Sequence, residues 1–139
     1  MHKIAAFRPD TGAQAVRASP FDDAAVRRTL DALAEGAAFV LGHNVAAHDL
    51  PALAHRFGEL RLAGLPVVDT LRLSPIAFPQ NPYHRLLKGY KLVRDSLNDP
   101  LRDAQLAWQL FRDEWIALRA LEQSRPLEAA CLHFLLDSA

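Results

Sequence analysis

Two aspartates stand where a carboxylate could bind a divalent cation. Asp49, in the stretch "GHNVAAHDLPALA", follows a short apolar run and precedes a helix-forming one, where backbone N–H groups and the helix dipole favour an anion. Asp103 lies four and seven residues before Ala107 and Leu110, so its carboxylate falls on the apolar face of its own helix. A buried carboxylate is costly unless it is paired or binds a cation. Together the two aspartates are typical of a divalent metal site with oxygen ligands, while a simple helix N-cap is the alternative for Asp49.

Several other polar residues allow a structural and a functional interpretation. Asn44 is a turn former at the end of its strand or contacts a substrate, and His43 and His48 are structural histidines or bind substrate or metal. Asp69, after "PVV", forms a strand-terminal Asx turn or belongs to an active site. A solvated helix face and phosphate contact explain the one dense basic segment equally well. That segment contains His84, Arg85, Lys88, Lys91 and Arg94, with Tyr83 and Tyr90 between them.

The elements that must position these residues alternate between strand and helix after an initial hairpin. Turn residues, caps and apolar spacing locate them. In chain order we predict a hairpin at 3–18, a helix with Ser19 as N-cap and Gly36 as C′ residue, and a strand "AAFVLG" buried on both faces. A helix at 49–60, a strand at "PVVD" and a loop through "PIAFPQNP" follow. The chain then forms a long helix at 100–123 and a further helix at 127–139. This order indicates an α/β domain with a mixed sheet at 1–123, followed by a helical extension at 124–139.

The composition indicates a soluble globular protein. The 139 residues are half apolar, and sixteen basic side chains balance sixteen acidic ones, so there is no overall attraction to nucleic acid. Cys131 is the only cysteine and cannot form an internal disulfide. No apolar run approaches the roughly 20 residues needed to span a bilayer, and the N-terminus does not read as a signal peptide. We therefore expect a cytoplasmic protein without a membrane partner.

Three stretches carry a resemblance to a known family. "GHNVAAHDLPAL" resembles the second motif of the DEDD superfamily of 3′-to-5′ exonucleases, and "NDPLRDAQLAWQLF" resembles the third, in which the final acid opens a long helix. Between them, "PVVDTLRLSPIAF" is similar to a strand that commonly reads Val-Asp-Thr-Leu in this superfamily. With "FPQNPYHRLLKGYKLVRDSLNDP", the chain looks most like the exonuclease-like domain at the N-terminus of bacterial RecQ-like helicase fusions. The resemblance covers about Lys3 to Leu118.

The resemblance implies a ribonuclease H-like fold and metal-dependent hydrolysis of DNA from a single-stranded 3′ end. By position, Asp49 and Asp103 would be two of four acidic ligands of two Mg²⁺ or Mn²⁺ ions, which activate a water and stabilise the leaving oxygen. Asn44 and Leu53 would lie beside the substrate. To these expected substrate contacts we add His43, Arg85, Lys88 and Lys91.

The chain departs from the family pattern at the general base. The family places a His five residues, or a Tyr four residues, before the final Asp, and here those positions are Asn98 and Asp99. A neutral amide cannot take up a proton at pH 7. His84 and His48 are the candidates to replace the base in space, and Asn98, Asp99 and Asp69 stay candidate active-site residues.

The first family motif, Asp-x-Glu on the first central strand, has no counterpart. The hairpin at 3–18 resembles the second and third strands of the family fold, so the chain begins one strand late. A truncation, a mis-assigned start and a degenerate homologue would each explain the missing first strand. Since buried N–H and C=O groups need partners, either the remaining strands close up or a second copy of the chain fills the space. We favour self-association as a homodimer.

Two functions follow from the sequence. The first is an exonuclease-like domain that is inactive or impaired as given. The second is a non-catalytic module on the same fold that binds nucleic acid or docks on a helicase domain of the same parent chain. Single-stranded DNA is the expected partner and RNA the alternative.

Overall fold

The strands form two separate two-stranded sheets in the part of the chain that the computed structural model describes, residues 1–81 and 99–137. Strands β1 (Lys3–Phe7) and β2 (Gln14–Ala18) pair antiparallel as a hairpin. Strands β3 (Val40–Gly42) and β4 (Val67–Asp69) pair in parallel. The mixed α/β class is confirmed, whereas the predicted single mixed sheet is not what these residues form.

Five α-helices and two short helical turns connect and cover the strands within the described ranges. They are α1 (Asp23–Ala34), a π-helical turn (Val45–Asp49), α2 (Leu50–Phe57), a 3₁₀ turn (Arg61–Gly64), α3 (Thr70–Ala77), α4 (Pro100–Ser124) and α5 (Pro126–Asp137). Helix α4 packs against β1, β3, α3 and α5, so it links the two sheets. None of the helices described is both long and apolar enough to cross a membrane.

The start of α1 differs from the prediction. Ser19 is not its N-cap; the cap is Asp22, whose side chain accepts a hydrogen bond from the backbone N–H of Ala25 at 3.0 Å. An aspartate satisfies an unpaired N–H of the first turn as well as a serine does, so the helix begins three residues later than predicted. The predicted end is confirmed, because Gly36 follows the helix with a φ of 69°.

Three further predictions on local structure were wrong. The stretch expected to be a loop from Pro75 onward instead continues α3 to Ala77, with Pro75 inside the helix. Helix α2 ends at Phe57 rather than Leu60, where Arg27 donates to the backbone carbonyl oxygens of Phe57 and Glu59 at 2.8 and 3.2 Å. Strand β3, expected to be fully buried, is half-buried.

The apolar core lies between the hairpin, α1 and α2. Its buried cluster comprises Ile4, Val26, Leu30, Phe57 and Leu60. The ring of Phe21 packs edge-to-face on Phe57, with centroids 5.8 Å apart. A second buried row, Leu106, Ala107 and Leu110, lies on α4, as its spacing of apolar residues predicts. These two groups hold the hairpin between α1 and α4.

Candidate functional site

A cavity of about 870 Å³ separates the two sheets. It is bordered by β1 on one side and β3 on the other, and we call it the inter-sheet cavity. Asp49 and Asp103 both line it. Lys3, the first residue of β1, has its ammonium 3.9 Å from the carboxylate of Asp99, which begins α4. The two aspartates therefore lie toward the end of the cavity where β1 begins and β3 ends.

The carboxylate of Asp49 is not engaged in capping. Its backbone is helical and its side chain makes no capping hydrogen bond to α2, so the N-cap alternative does not describe it. The side chain is open to solvent, yet the surrounding protein partly desolvates it and raises the pKa of its carboxyl group. His48 opposes this by attraction, while the charges of Asp69 and Asp103 raise the pKa further. Three carboxylates thus interact electrostatically at this end of the cavity.

Asp103 lies in the first turn of α4 and is half-buried, as the apolar spacing of the helix predicted. Its backbone N–H donates to the carbonyl oxygen of Asp99 at 3.0 Å. The side chain of Asp99 accepts from the backbone N–H of Leu101 at 3.1 Å and so caps α4. Of these two neighbours, only Asp103 lines the inter-sheet cavity.

Asp69 has the structural role that the Asx-turn interpretation describes. It is 6% exposed, and one carboxylate oxygen accepts from the backbone N–H groups of Asn44 and Leu71 at 2.8 and 3.0 Å. The other accepts from the N–H of Ala46 at 3.1 Å. Asn44 has a left-handed backbone, with φ of 61°, which turns the chain after β3 so that these N–H groups converge. Asp69 therefore joins β4 to the segment that carries Asp49.

The histidines next to Asp49 lie in different surroundings. His43 has its Nδ1 2.9 Å from the hydroxyl of Thr70, and this hydroxyl donates to the carbonyl oxygen of Gly42 at 3.3 Å. His48 is exposed. His43 thus contributes to the junction of β3 and α3, and His48 alone of the two faces solvent.

Of the remaining predicted site residues, the structure describes one and does not describe the other five. Leu53 lines the inter-sheet cavity and packs against the core. The others, His84, Arg85, Lys88, Lys91 and Asn98, lie outside the described residues. The predictions for the general base and for the basic segment therefore stay predictions.

A buried carboxylate on α4 was missed by the sequence analysis. Glu114 is fully enclosed, and one oxygen accepts a hydrogen bond from the hydroxyl of Ser74 on α3 at 2.6 Å. Burial raises the pKa of Glu114 from 4.5 to about 7, against the lowering effect of Ser74. The signal was available, because Glu114 follows Ala107 and Leu110 by seven and four residues and shares their face.

The described residues do not fit a two-metal centre. They contain no group of three or more His, Cys, Asp or Glu side chains that could hold a metal ion. Asp69, the third carboxylate nearby, already uses both oxygens on backbone N–H groups. Comparisons of the chain with protein families, curated proteins and solved structures found no match. The interpretation of the site therefore depends on its residues and their geometry.

Proposed function

We propose that this chain is an exonuclease-like domain of the DEDD type, with a ribonuclease H-like arrangement, whose catalytic site is incomplete within these 139 residues. The observation that carries the proposal is that Asp49 and Asp103, distant in sequence, line one cavity closely enough for the charge of Asp103 to raise the pKa of Asp49. The order of elements, a hairpin followed by alternating helices and short parallel strands, supports the same fold.

The chemistry available to these residues is cation binding rather than hydrolysis. Two carboxylates attract a hard divalent cation, but tight oxygen sites need several more protein ligands. Phosphodiester hydrolysis by the two-metal route also needs both ions held in fixed positions. We therefore expect the isolated chain to bind Mg²⁺ or Mn²⁺ weakly and to leave DNA uncut.

A Mn²⁺ titration followed by electron paramagnetic resonance tests the cation site. We expect one weak site, with a Kd of about 0.1 mM or higher, in the range of oxygen sites with few charged ligands. Asp103→Asn should abolish saturable binding, because it removes one of two charges. Asp113→Asn is the matched control: it makes the same change at an exposed position of the same helix and should leave binding unchanged.

A nuclease assay on 5′-labelled single-stranded DNA with Mg²⁺ or Mn²⁺ tests the missing chemistry. We expect no shortening from the 3′ end. Tight binding of two Mn²⁺ ions together with 3′-end shortening would overturn the proposed incompleteness. Mn²⁺ binding that is absent, or unaffected by Asp103→Asn, would overturn the site itself and favour the non-catalytic nucleic-acid-binding or helicase-docking module.

A further inference from the structure

We propose that the outward side of α5 is a dimer interface, on which a second copy of this chain packs its own α5 in antiparallel orientation. The proposal does not depend on cation binding at Asp49 and Asp103 or on the inter-sheet cavity. It starts from a row of apolar side chains on α5 that is exposed in the described part of the chain.

Helix α5 carries apolar residues on two of its sides. The helix packs against α4, and its half-buried residues are Ala129 and Leu132. On another side, Leu127, Cys131 and Leu135 follow one another at intervals of four residues, which places them in one row along the helix. The two leucines are 82% and 62% exposed, and Cys131 is an exposed free thiol. Exposed apolar residues that share one side of a helix are typical of a contact surface. We call these three residues the α5 row.

The charges of α5 argue against nucleic acid and an anionic membrane surface as the occupant. Both of those partners require basic side chains, and residues 126–137 contain no lysine or arginine. The carboxylate of Glu128 pairs with Arg125 at 3.2 Å, and that of Asp137 lies 3.1 Å from Nδ1 of His133. The α5 row itself carries no charge. The surface that fits it best is therefore another apolar helix face.

The α5 row is symmetric about Cys131, which favours a second copy over a different protein. Leu127 and Leu135 each lie four residues from Cys131, so a two-fold axis at Cys131 brings Leu127 of one copy beside Leu135 of the other. Rows of residues four apart are the ridges that interlock where two helices cross at about −50°. The same axis reverses the helix direction. It therefore brings the acidic end of one α5, at Asp137, toward the N-terminal end of the other, where the helix dipole favours a negative charge.

The small side chain of Cys131 at the crossing point allows the two helices to approach closely. Packed helix axes are about 8 to 10 Å apart and Cα atoms lie about 2.3 Å from their axis, so the two Cys131 Cα atoms would be about 3.4 to 5.4 Å apart. A disulfide joins Cα atoms that are about 4.4 to 6.8 Å apart. The two thiols would therefore come within bonding distance, and Cys131 serves as a reporter of the arrangement.

The size of the interface determines the affinity that we expect. Helix α5 has 12 residues and is about 18 Å long, so one crossing of two such helices buries less than the roughly 1,200 Å² of a stable interface. We therefore expect a weak dimer with a Kd of about 10 to 100 μM, which forms and dissociates as the protein concentration changes.

Sedimentation velocity of the full chain between about 1 and 500 μM, with a reducing agent present, tests the interface. We expect the average mass to rise from that of a monomer toward that of a dimer. Leu127→Lys should raise the Kd at least about tenfold, because it places a charge in an apolar contact. Ile116→Lys is the matched control: it makes a similar change at a 66% exposed position of α4 and should alter the Kd by less than about twofold. A monomer at every concentration, or a dimer that both variants weaken equally or not at all, would overturn the proposal.

Disulfide trapping of the full chain tests the two-fold axis at Cys131. The oxidant is diamide, which takes up the two electrons and two protons that the thiols release. We expect Cys131 to form an inter-chain disulfide at protein concentrations near the Kd. The double variant Cys131→Ser/His133→Cys moves the thiol to another exposed side of the helix and should form little disulfide. Equal yields at the two positions would indicate random collision and would overturn the α5 row as the interface.

Two further cysteine variants, each combined with Cys131→Ser, distinguish an antiparallel from a parallel pair. Leu127→Cys alone should form little disulfide, because the two copies of residue 127 would be about 12 Å apart along the helices, beyond the reach of a disulfide. A mixture of Leu127→Cys and Leu135→Cys chains should form a mixed disulfide. Efficient trapping of Leu127→Cys chains with each other would overturn the antiparallel arrangement.

Discussion

Glu114→Gln is expected to stabilise the protein at neutral pH and to remove a pH dependence between pH 4.5 and about 7. Glu114 is completely buried, with one oxygen bonded to the Ser74 hydroxyl at 2.6 Å. Its second oxygen has no hydrogen-bond partner within the described residues. Burial raises its pKa from 4.5 to about 7, and the nearby charges of Asp69 and Asp113 act in the same direction. The Glu114 carboxyl group of the folded protein therefore stays protonated to a higher pH than that of the unfolded chain.

The size of the effect follows from proton linkage. Between pH 4.5 and about 7 the folded protein holds a proton on Glu114 that the unfolded chain has released. The contribution to stability is therefore fully present below pH 4.5 and is lost as the pH rises through about 7. At 1.36 kcal/mol per pH unit, a pKa difference of about 2.5 gives a loss of at most about 3.4 kcal/mol. Because the Glu114 side chain is fully buried, solvent screens little of this loss of stability.

The glutamine side chain has nearly the same shape, carries no charge and can still accept from Ser74. At about pH 8 we expect the variant to be more stable than the wild type by about 1 to 2 kcal/mol, because loss of the charge-assisted hydrogen bond offsets part of the gain. At pH 4.5 the two should agree within about 1 kcal/mol, since both side chains are then neutral. Urea denaturation at several pH values between these limits measures the difference directly.

A control on the same helix separates burial from charge. Glu122 is exposed and pairs with Arg119 at 3.1 Å, so Glu122→Gln should change stability by less than about 0.5 kcal/mol at every pH. Titration of other groups contributes equally to wild type and variant and cancels in their difference. If the stability curves of wild type and Glu114→Gln run parallel between pH 4.5 and 7, the reasoning on the buried carboxylate is refuted.

Two further predictions concern the junction around β3 and β4. Asp69→Asn should lower the free energy of unfolding by about 2 to 4 kcal/mol, because it removes the charge that three backbone N–H groups share. Asp99→Asn is the control, since this side chain accepts one such bond at the start of α4, and it should lower the free energy of unfolding by less than about 1 kcal/mol. Urea denaturation of both variants measures the difference. Gly42→Ala should destabilise the protein by about 1 to 3 kcal/mol, since the added Cβ would lie 2.6 Å from Val45 Cβ. At Gly64 an added Cβ meets nothing within 4 Å, so Gly64→Ala should leave stability nearly unchanged. Equal melting temperatures for the two variants would contradict this packing.

Local signals in the sequence accounted for most of the elements. Turn residues predicted the hairpin, and apolar residues at helical spacing predicted α4 from residue 100 almost to its end at Ser124. They failed at the start of α1, where Asp22 is the N-cap and not the expected Ser19. Which residue caps α1 depends on where the preceding strand β2 ends, and the residues next to the cap do not determine this.

For the candidate site, the sequence determined the residue types and their helix faces, and the tertiary structure decided their partners. Spacing along α4 was sufficient to direct Asp103 inward, and the same spacing applies to Glu114. Only the fold shows that Asp69 is engaged by three backbone N–H groups and that Asp49 is left open to solvent. Only the fold leaves β1 and β3 facing each other across an apolar cavity. Helical periodicity is a property of adjacent residues, whereas hydrogen bonding and the space between sheets depend on segments that are distant in the chain.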